Sequence, residues 1–176
     1  MKYNGSNLKE VLEAHKRWLR EDDGWTEGDK ANLSGADLSG TYLSEADLSG
    51  ADLSETKNIP DLPMACPDCG DFIGWKKARS TDGSTCIVKL LIPADARRSS
   101  GTGRKCRCDR AQVLEIQDID GNALTDCFAR SVYKREFEYH TGKTVTADAF
   151  DTDRWNECSD GIHFFINRME AVNYQL

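Results

Sequence analysis

The sequence predicts a mainly β, α+β protein: an N-terminal helix, about one coil of a square β-structure, and then a compact α+β domain. Three observations carry that expectation. Residues 31–55 are five successive pentapeptides, ANLSG ADLSG TYLSE ADLSG ADLSE, with leucine at every centre. Ahead of them, Leu8, Val11, Leu12, His15, Trp18 and Leu19 recur at spacings of three and four. Behind them come separate runs of alternating or branched apolar residues.

An apolar stripe at spacings of three and four marks one face of a helix. Asn7 with Glu10 fits a capping box and Gly24 fits a stop, so residues 1–24 are assigned as a capping helix. The stripe has the first coil of repeats to cover, and acidic residues interrupt the polar face, which argues against a membrane role.

A five-residue period fits neither the 3.6 of a helix nor the 2 of a strand, so the leucines share an interior only if the chain turns regularly. One pentapeptide per side of a square coil places Leu33, Leu38, Leu43, Leu48 and Leu53 inside. Ala31, Ala36, Thr41, Ala46 and Ala51 sit beside them at the corners, and Asp37, Asp47 and Asp52 face solvent. These residues resemble the pentapeptide-repeat family, whose A(D/N)LXX consensus they match. That resemblance implies a right-handed quadrilateral β-helix, placed here over residues 25–57. Four sides close a turn, so five pentapeptides make little more than one coil, whereas stacked repeats normally need about three units. Flanking chain or a partner must therefore cap the segment. Residues 31–62 carry one Lys against six Asp or Glu. Imitation of duplex DNA is one functional reading of that charge, but a DNA-like rod needs many more coils, and a short spacer with a solvated acidic face is simpler.

Asn58-Ile59-Pro60-Asp61-Leu62-Pro63 reads as a linker over residues 58–63. An α+β domain is expected over 64–176. Residues 72–78, 86–92 and 111–119 read as strands, with Asp120-Gly121-Asn122 as a turn. A further strand over 161–166 leads into a short helix at 168–174, with Asn167 as its N-cap. The segments FIGWKK, VKLLIPADARRSSGTGRKCRC and RWNECSDGIHFFI resemble a domain of unknown function found behind short runs of pentapeptide repeats in bacterial and bacteriophage proteins. With the repeats and the leading helix, that resemblance spans nearly the whole chain, and it implies relatives without an established activity.

The 176 residues suit one compact domain or two small ones, and an apolar content of 39% can fill a core. A net charge of −7 disfavours wrapping nucleic acid or binding an anionic membrane. No segment approaches a bilayer span and no signal-peptide stretch opens the chain, so the expected compartment is the cytoplasm. Seven cysteines without an export signal favour reduced thiols or metal ligands over a disulfide framework.

Three candidate sites follow. The first is Arg97, Arg98, Ser99, Ser100, Gly101, Thr102, Gly103, Arg104, Lys105, Cys106 and Arg107, with Arg110 close behind: six positive charges in fourteen residues, opposed by Asp109. Glycines let backbone N–H groups converge on an anion, hydroxyls donate further bonds, and guanidinium groups grip phosphate oxygens in pairs. The segment therefore reads as a phosphate or nucleotide site, or else as a solvated basic loop that pairs with the acidic half of the protein or across a dimer. It is not a Walker loop, because GTGRK lacks the glycine gap and the GK[ST] ending.

The second is structural zinc, held by Cys66 and Cys69 of CPDC with Cys106 and Cys108 of CRC. CxxC reaches two corners of a tetrahedron from one turn, and a strand would place both cysteines of CxC on one face. Against this, cysteine is often simply a small core residue. The third is a nicotinamide-type pocket. Residues 139–142, 161–165 and 171–174 loosely resemble the nicotinamide-cradling elements of ADP-ribosyltransferases, which implies that His140 and Gly142 meet the ribose, that His163 replaces a tyrosine, and that Tyr174 lies near a helix end. No acid stands clearly as the catalytic glutamate, since Glu170 falls inside the expected helix.

No nucleophile elbow, kinase set or Rossmann glycine pattern occurs. Asp118 with Asp120 and Asp151 with Asp153 sit in loops where solvated carboxylates are expected, and nothing near Cys158 marks a thiolate. The expectation is a non-enzymatic, phage-type binding protein that holds an anionic ligand or inhibits a host factor. An ADP-ribosyltransferase-like enzyme or degenerate relative is the first alternative. A protein assembly module, self-associating into a homo-oligomer through the open edge of a short β-helix, is the second.

Overall fold

The computed structural model describes residues 2–3, 6–41, 43, 46–59 and 64–175. Pro60, Asp61, Leu62 and Pro63 of the expected linker lie outside the described residues. The chain divides into two compact units, Met1–Met64 with Ser100–Gly103 and Asp153–Cys158, and Ala65–Ser99 with Arg104–Thr152 and Ser159–Leu176. Two short returns from beyond residue 64 thus belong to the first unit.

In the first unit, strands β1 (Lys2–Tyr3) and β2 (Ser6–Asn7) pair antiparallel ahead of helix α1 (Leu8–Arg20). The capping box forms as the sequence suggests: Asn7 Oδ1 accepts from the Lys9 N–H at 3.0 Å, and Glu10 Oε2 accepts from the Asn7 N–H at 3.3 Å. The helix stops earlier than Gly24. Glu21 takes the left-handed conformation, φ 52°, and its N–H closes onto the carbonyls of Arg17 and Trp18. Leu8, Val11 and Leu12 of the apolar stripe pack on the buried leucines of the repeats.

All five repeat leucines are buried, together with Ala31, Ala36 and Ala51. Burying a leucine stabilises by about 1.5–3 kcal/mol, so this small cluster is a core in its own right. Four of the five repeats turn on a side chain: Asn32, Asp37, Asp47 and Asp52 each accept the N–H of the serine two residues on, at 2.9 to 3.0 Å. Parallel bridges join Asn32 to Asp52 and Asp37 to Lys57, both twenty residues apart. The Leu33 N–H donates to the Asp52 carbonyl at 2.8 Å, and the Lys57 N–H to that of Ala36 at 2.7 Å. Ile59, Met64 and Trp155 also pack against the leucine cluster, so the unit's own chain supplies the cover that a short repeat requires.

The second unit is built on an antiparallel sheet ordered β10 (Thr144–Thr146), β7 (Arg110–Gln117), β4 (Thr85–Ile92), β3 (Phe72–Ser80), β11 (Ile162–Phe165), β6 (Lys105–Cys108), β5 (Arg98–Ser100). Strand β8 (Ala129–Arg130) pairs with the end of β3 and with β9 (Glu138–Tyr139). Register sets the faces. Phe72, Gly74, Lys76 and Ala78 of β3 lie opposite Ile92, Leu90, Val88 and Cys86 of β4, and this face carries the main core with Cys106, Cys108, Val113, Ile116, Tyr139, Ile162 and Phe164. The opposite face carries a smaller cluster of Trp75, Ile87 and Phe165, covered by helix α2 (Arg168–Asn173). Gly74 is required by close approach, because a methyl there would meet Phe164 Cδ2 at 2.6 Å. The segment expected to be a basic loop is instead two strands, β5 and β6, joined by the turn at residues 101–104. Helix α2 starts at the expected N-cap, Asn167, whose Oδ1 accepts from the Met169 N–H at 2.8 Å.

Candidate functional site

The basic run is committed to partners of its own unit. Arg97 Nε donates to Asp109 Oδ2 at 2.9 Å, and its backbone N–H to Asp109 Oδ1 at 3.0 Å. Arg98 lies over the Phe72 ring and donates to the carbonyls of Gly70, Pro93 and Ala94 at 2.9, 2.9 and 2.6 Å. Arg104 pairs with Glu170 at 2.7 Å, which raises the guanidinium pKa further. Lys105 sits over the Tyr174 ring, and Arg110 pairs with Asp95 at 2.7 Å. Arg107 is 2% exposed and donates to the carbonyls of Asp151 and Asp160 at 2.5 and 3.1 Å. A guanidinium that satisfies several carbonyls works as a structural clamp, because its five donors span strands and loops that no backbone ladder joins.

The glycine turn does gather donors around an anion, and the anion is the chain's own. Glu157 Oε1 accepts from the backbone N–H of Thr102, from the N–H of Gly103 at 3.0 Å and from Thr102 Oγ1 at 3.0 Å. A methyl on Gly101 would overlap that carboxylate, which is why the position is glycine. Ser99 and Ser100 are buried in β5, and Ser99 Oγ has no hydrogen-bond partner among the described residues. No sequence signal identified Glu157, which stands more than fifty residues beyond the turn.

The cysteines divide. Cys66, Cys106 and Cys108 are buried and Cys69 is exposed. The Cys106 thiol is raised well above its ordinary range by its hydrogen bond with Cys66 and then by burial. Burial pushes Cys108 up to about 12, and its Sγ lies 3.8 Å from the Ile162 carbonyl. Among the described residues no group of three or more His, Cys, Asp or Glu gathers as a metal would require.

The nicotinamide-type residues are distributed over the sheet. His140 follows β9, stacks on Phe128 at 4.9 Å between centroids, and bonds Glu138 Oε2 through Nε2 at 3.0 Å. Gly142, φ 80°, turns the chain toward β10. His163 lies in β11, which β8 and β3 separate from β9, and Tyr174 caps α2 with its ring against Phe165. Glu170 is committed to Arg104 and to the N–H of Asn167 at 3.1 Å.

The chain's negative charge is concentrated in the first unit. Residues 21–59 hold ten carboxylates against two lysines, a net of −8, so the rest of the chain carries about +1. Hydrogen bonds hold two acids of the repeats below the usual carboxylate range: the Asn58 amide and Ser39 on Asp37, and the Ser49 hydroxyl and N–H on Asp47. Both side chains are exposed. Among the described residues, no helix is long and apolar enough to cross a membrane.

The sequence profile of a family of unknown function (DUF5758) matches residues 62–171. The chain belongs to that family. Ahead of the family domain, the pentapeptide-repeat profile matches residues 29–57, the stretch that holds the buried leucines and the side-chain-capped turns. No curated protein and no solved structure matches the chain.

Proposed function

We propose that this member of the family is a non-enzymatic binding protein whose acidic repeat face engages a basic surface of another protein and blocks that surface. The observation that carries the reading is the charge division: the cations of residues 97–110 are bonded within the second unit, while Asp37 and Asp47 of the repeats are exposed and held below the usual carboxylate range. Complementary charge steers association and sets register more than it sets affinity, so the face suits a soluble cationic partner. The twenty-residue return of the two parallel bridges is the spacing of a four-sided coil of pentapeptides, and it supports reading the repeats as about one coil of right-handed quadrilateral β-helix. Such a coil displays one side-chain turn per face in a fixed lattice.

Asn32 makes the test clean, because it already occupies the aspartate position of a repeat and caps the same turn at 3.0 Å. The triple variant Asp37→Asn, Asp47→Asn, Asp52→Asn therefore removes three charges and keeps the turns. Proteins cross-linked to the wild type in cell extract are quantified against the triple variant and across a salt series. A basic partner lost from the variant and weakened by salt supports the reading. Equal capture by both chains, or turnover of a nicotinamide dinucleotide by the purified protein, overturns it.

A further inference from the structure

Lys76 lies in mid-strand on β3 with Val88 as its register partner, between Gly74 opposite Leu90 and Ala78 opposite Cys86. Its side chain leaves the sheet on the face of the main core, a position that usually takes a branched apolar residue. The amine finds few partners there. Nζ donates to the His163 carbonyl at 3.1 Å and lies 5.9 Å from the centre of the Tyr139 ring. The titratable neighbours are the Cys108 thiol, itself neutral, the phenol of buried Tyr139, and Lys105, a second cation. Among the described residues, none of the groups that act on it is a carboxylate. Burial, aided by Lys105, brings the amine from 10.5 down to about 8. The residue as a whole is nonetheless only part-buried. Lys77 is the internal contrast: it leaves by the other face and donates to two carbonyls, of Val172 at 2.8 Å and Tyr174 at 2.7 Å.

An unpaired, partly desolvated lysine is a nucleophile rather than a structural cation. We propose that Lys76 is a covalent acceptor for small activated acyl groups. The neutral Nζ attacks the acyl carbon of an acyl phosphate or thioester. The C–O or C–S bond breaks, phosphate or thiol leaves with the amine proton, and an amide remains. That amide keeps one N–H for the His163 carbonyl and removes a charge that the core face does not pair. The site shares no residue with the acidic repeats.

The test uses the full chain and acetyl phosphate below one equivalent, with acetylation of each lysine read by peptide mass mapping. At pH 7.5 the lowered pKa makes the neutral fraction of Lys76 roughly 200-fold larger than that of an ordinary lysine. After allowing for the weaker nucleophilicity of a weaker base, Lys76 should react on the order of 10-fold faster than Lys77. Its rate should level off above pH ~8. Lys76→Arg should remove the fast phase, and because Lys76 and Lys77 compete within one wild-type digest, the result stands even if the variant folds poorly. Acetylation of Lys76 no faster than Lys77, or only once urea has unfolded the chain, overturns the proposal.

Discussion

Replacing Glu157 by alanine should loosen the first unit. The carboxylate holds three donors at once, the N–H groups of Thr102 and Gly103 and the Thr102 hydroxyl, across more than fifty residues of sequence. A hydrogen bond to a charged group contributes about 1.5–3 kcal/mol where water is excluded. Glu157 is half-buried, so water re-solvates part of what alanine leaves bare, and the expected loss is about 2–3 kcal/mol for the set. Glutamine keeps an accepting oxygen without the charge and should cost about 1 kcal/mol. With a urea slope of about 1–3 kcal/mol per molar, the alanine variant should unfold roughly 1 M earlier, followed through Trp155 in the same segment. Because alanine leaves a space the size of a carboxylate lined by donors, acetate at high concentration should restore part of that shift and leave the wild type unchanged. Equal urea midpoints for wild type, alanine and glutamine chains would refute the reasoning, since the turn would then gain nothing from its anion.

Three further outcomes follow from the packing. His15 is fully buried, and its Nδ1 accepts from the Ala31 N–H at 3.2 Å, so the neutral ring carries its proton on Nε2. Burial holds this histidine below 6.5, with Lys30 adding and with Asp47 and the Ser49 backbone opposing. The unfolded chain then takes up a proton before the folded one does. Stability is complete above pH ~6.5 and declines as pH falls from there toward the lower folded value; His15→Gln should flatten that slope in urea titrations between pH 7.5 and 5.5. Gly74→Ala, which drives a methyl to within 2.6 Å of Phe164 Cδ2, should cost about 1–3 kcal/mol by thermal unfolding, and Phe164→Leu in the same chain should recover part of it. Leu33→Ala, at a site with no exposure, should cost about 2–5 kcal/mol in the same assay, while Asp52→Asn should cost less than about 0.5 kcal/mol.

What could be read from the sequence is what repeats or what is local. A leucine every five residues with a small residue two places before it forces a turning chain with one interior, and the five leucines are buried together. Asn7 with Glu10, and Asn167 ahead of α2, announced helix starts because a cap needs groups only two or three residues apart. Strands at 72–78 and 86–92 showed in their branched apolar runs. The helix stop was misplaced because Glu21 accepts a left-handed conformation three residues before the glycine that favours it. The basic run showed its charge but not its partners. Asp109, Glu170 and the carbonyls of Gly70, Pro93, Asp151 and Asp160 reach those arginines only after β5 and β6 have joined the sheet. The glycines of the turn promised an anion, and strand order decided that the anion would be Glu157. Adjacent in sequence, Lys76 and Lys77 part in the fold: register with β4 and β11 sends one amine onto the core face and the other to the end of α2. The sequence by itself determined the periodic and nearest-neighbour features of this protein, since their energetics close within a few residues. The tertiary structure decided which charges stay free and which are consumed, because that depends on pairing between segments many tens of residues apart.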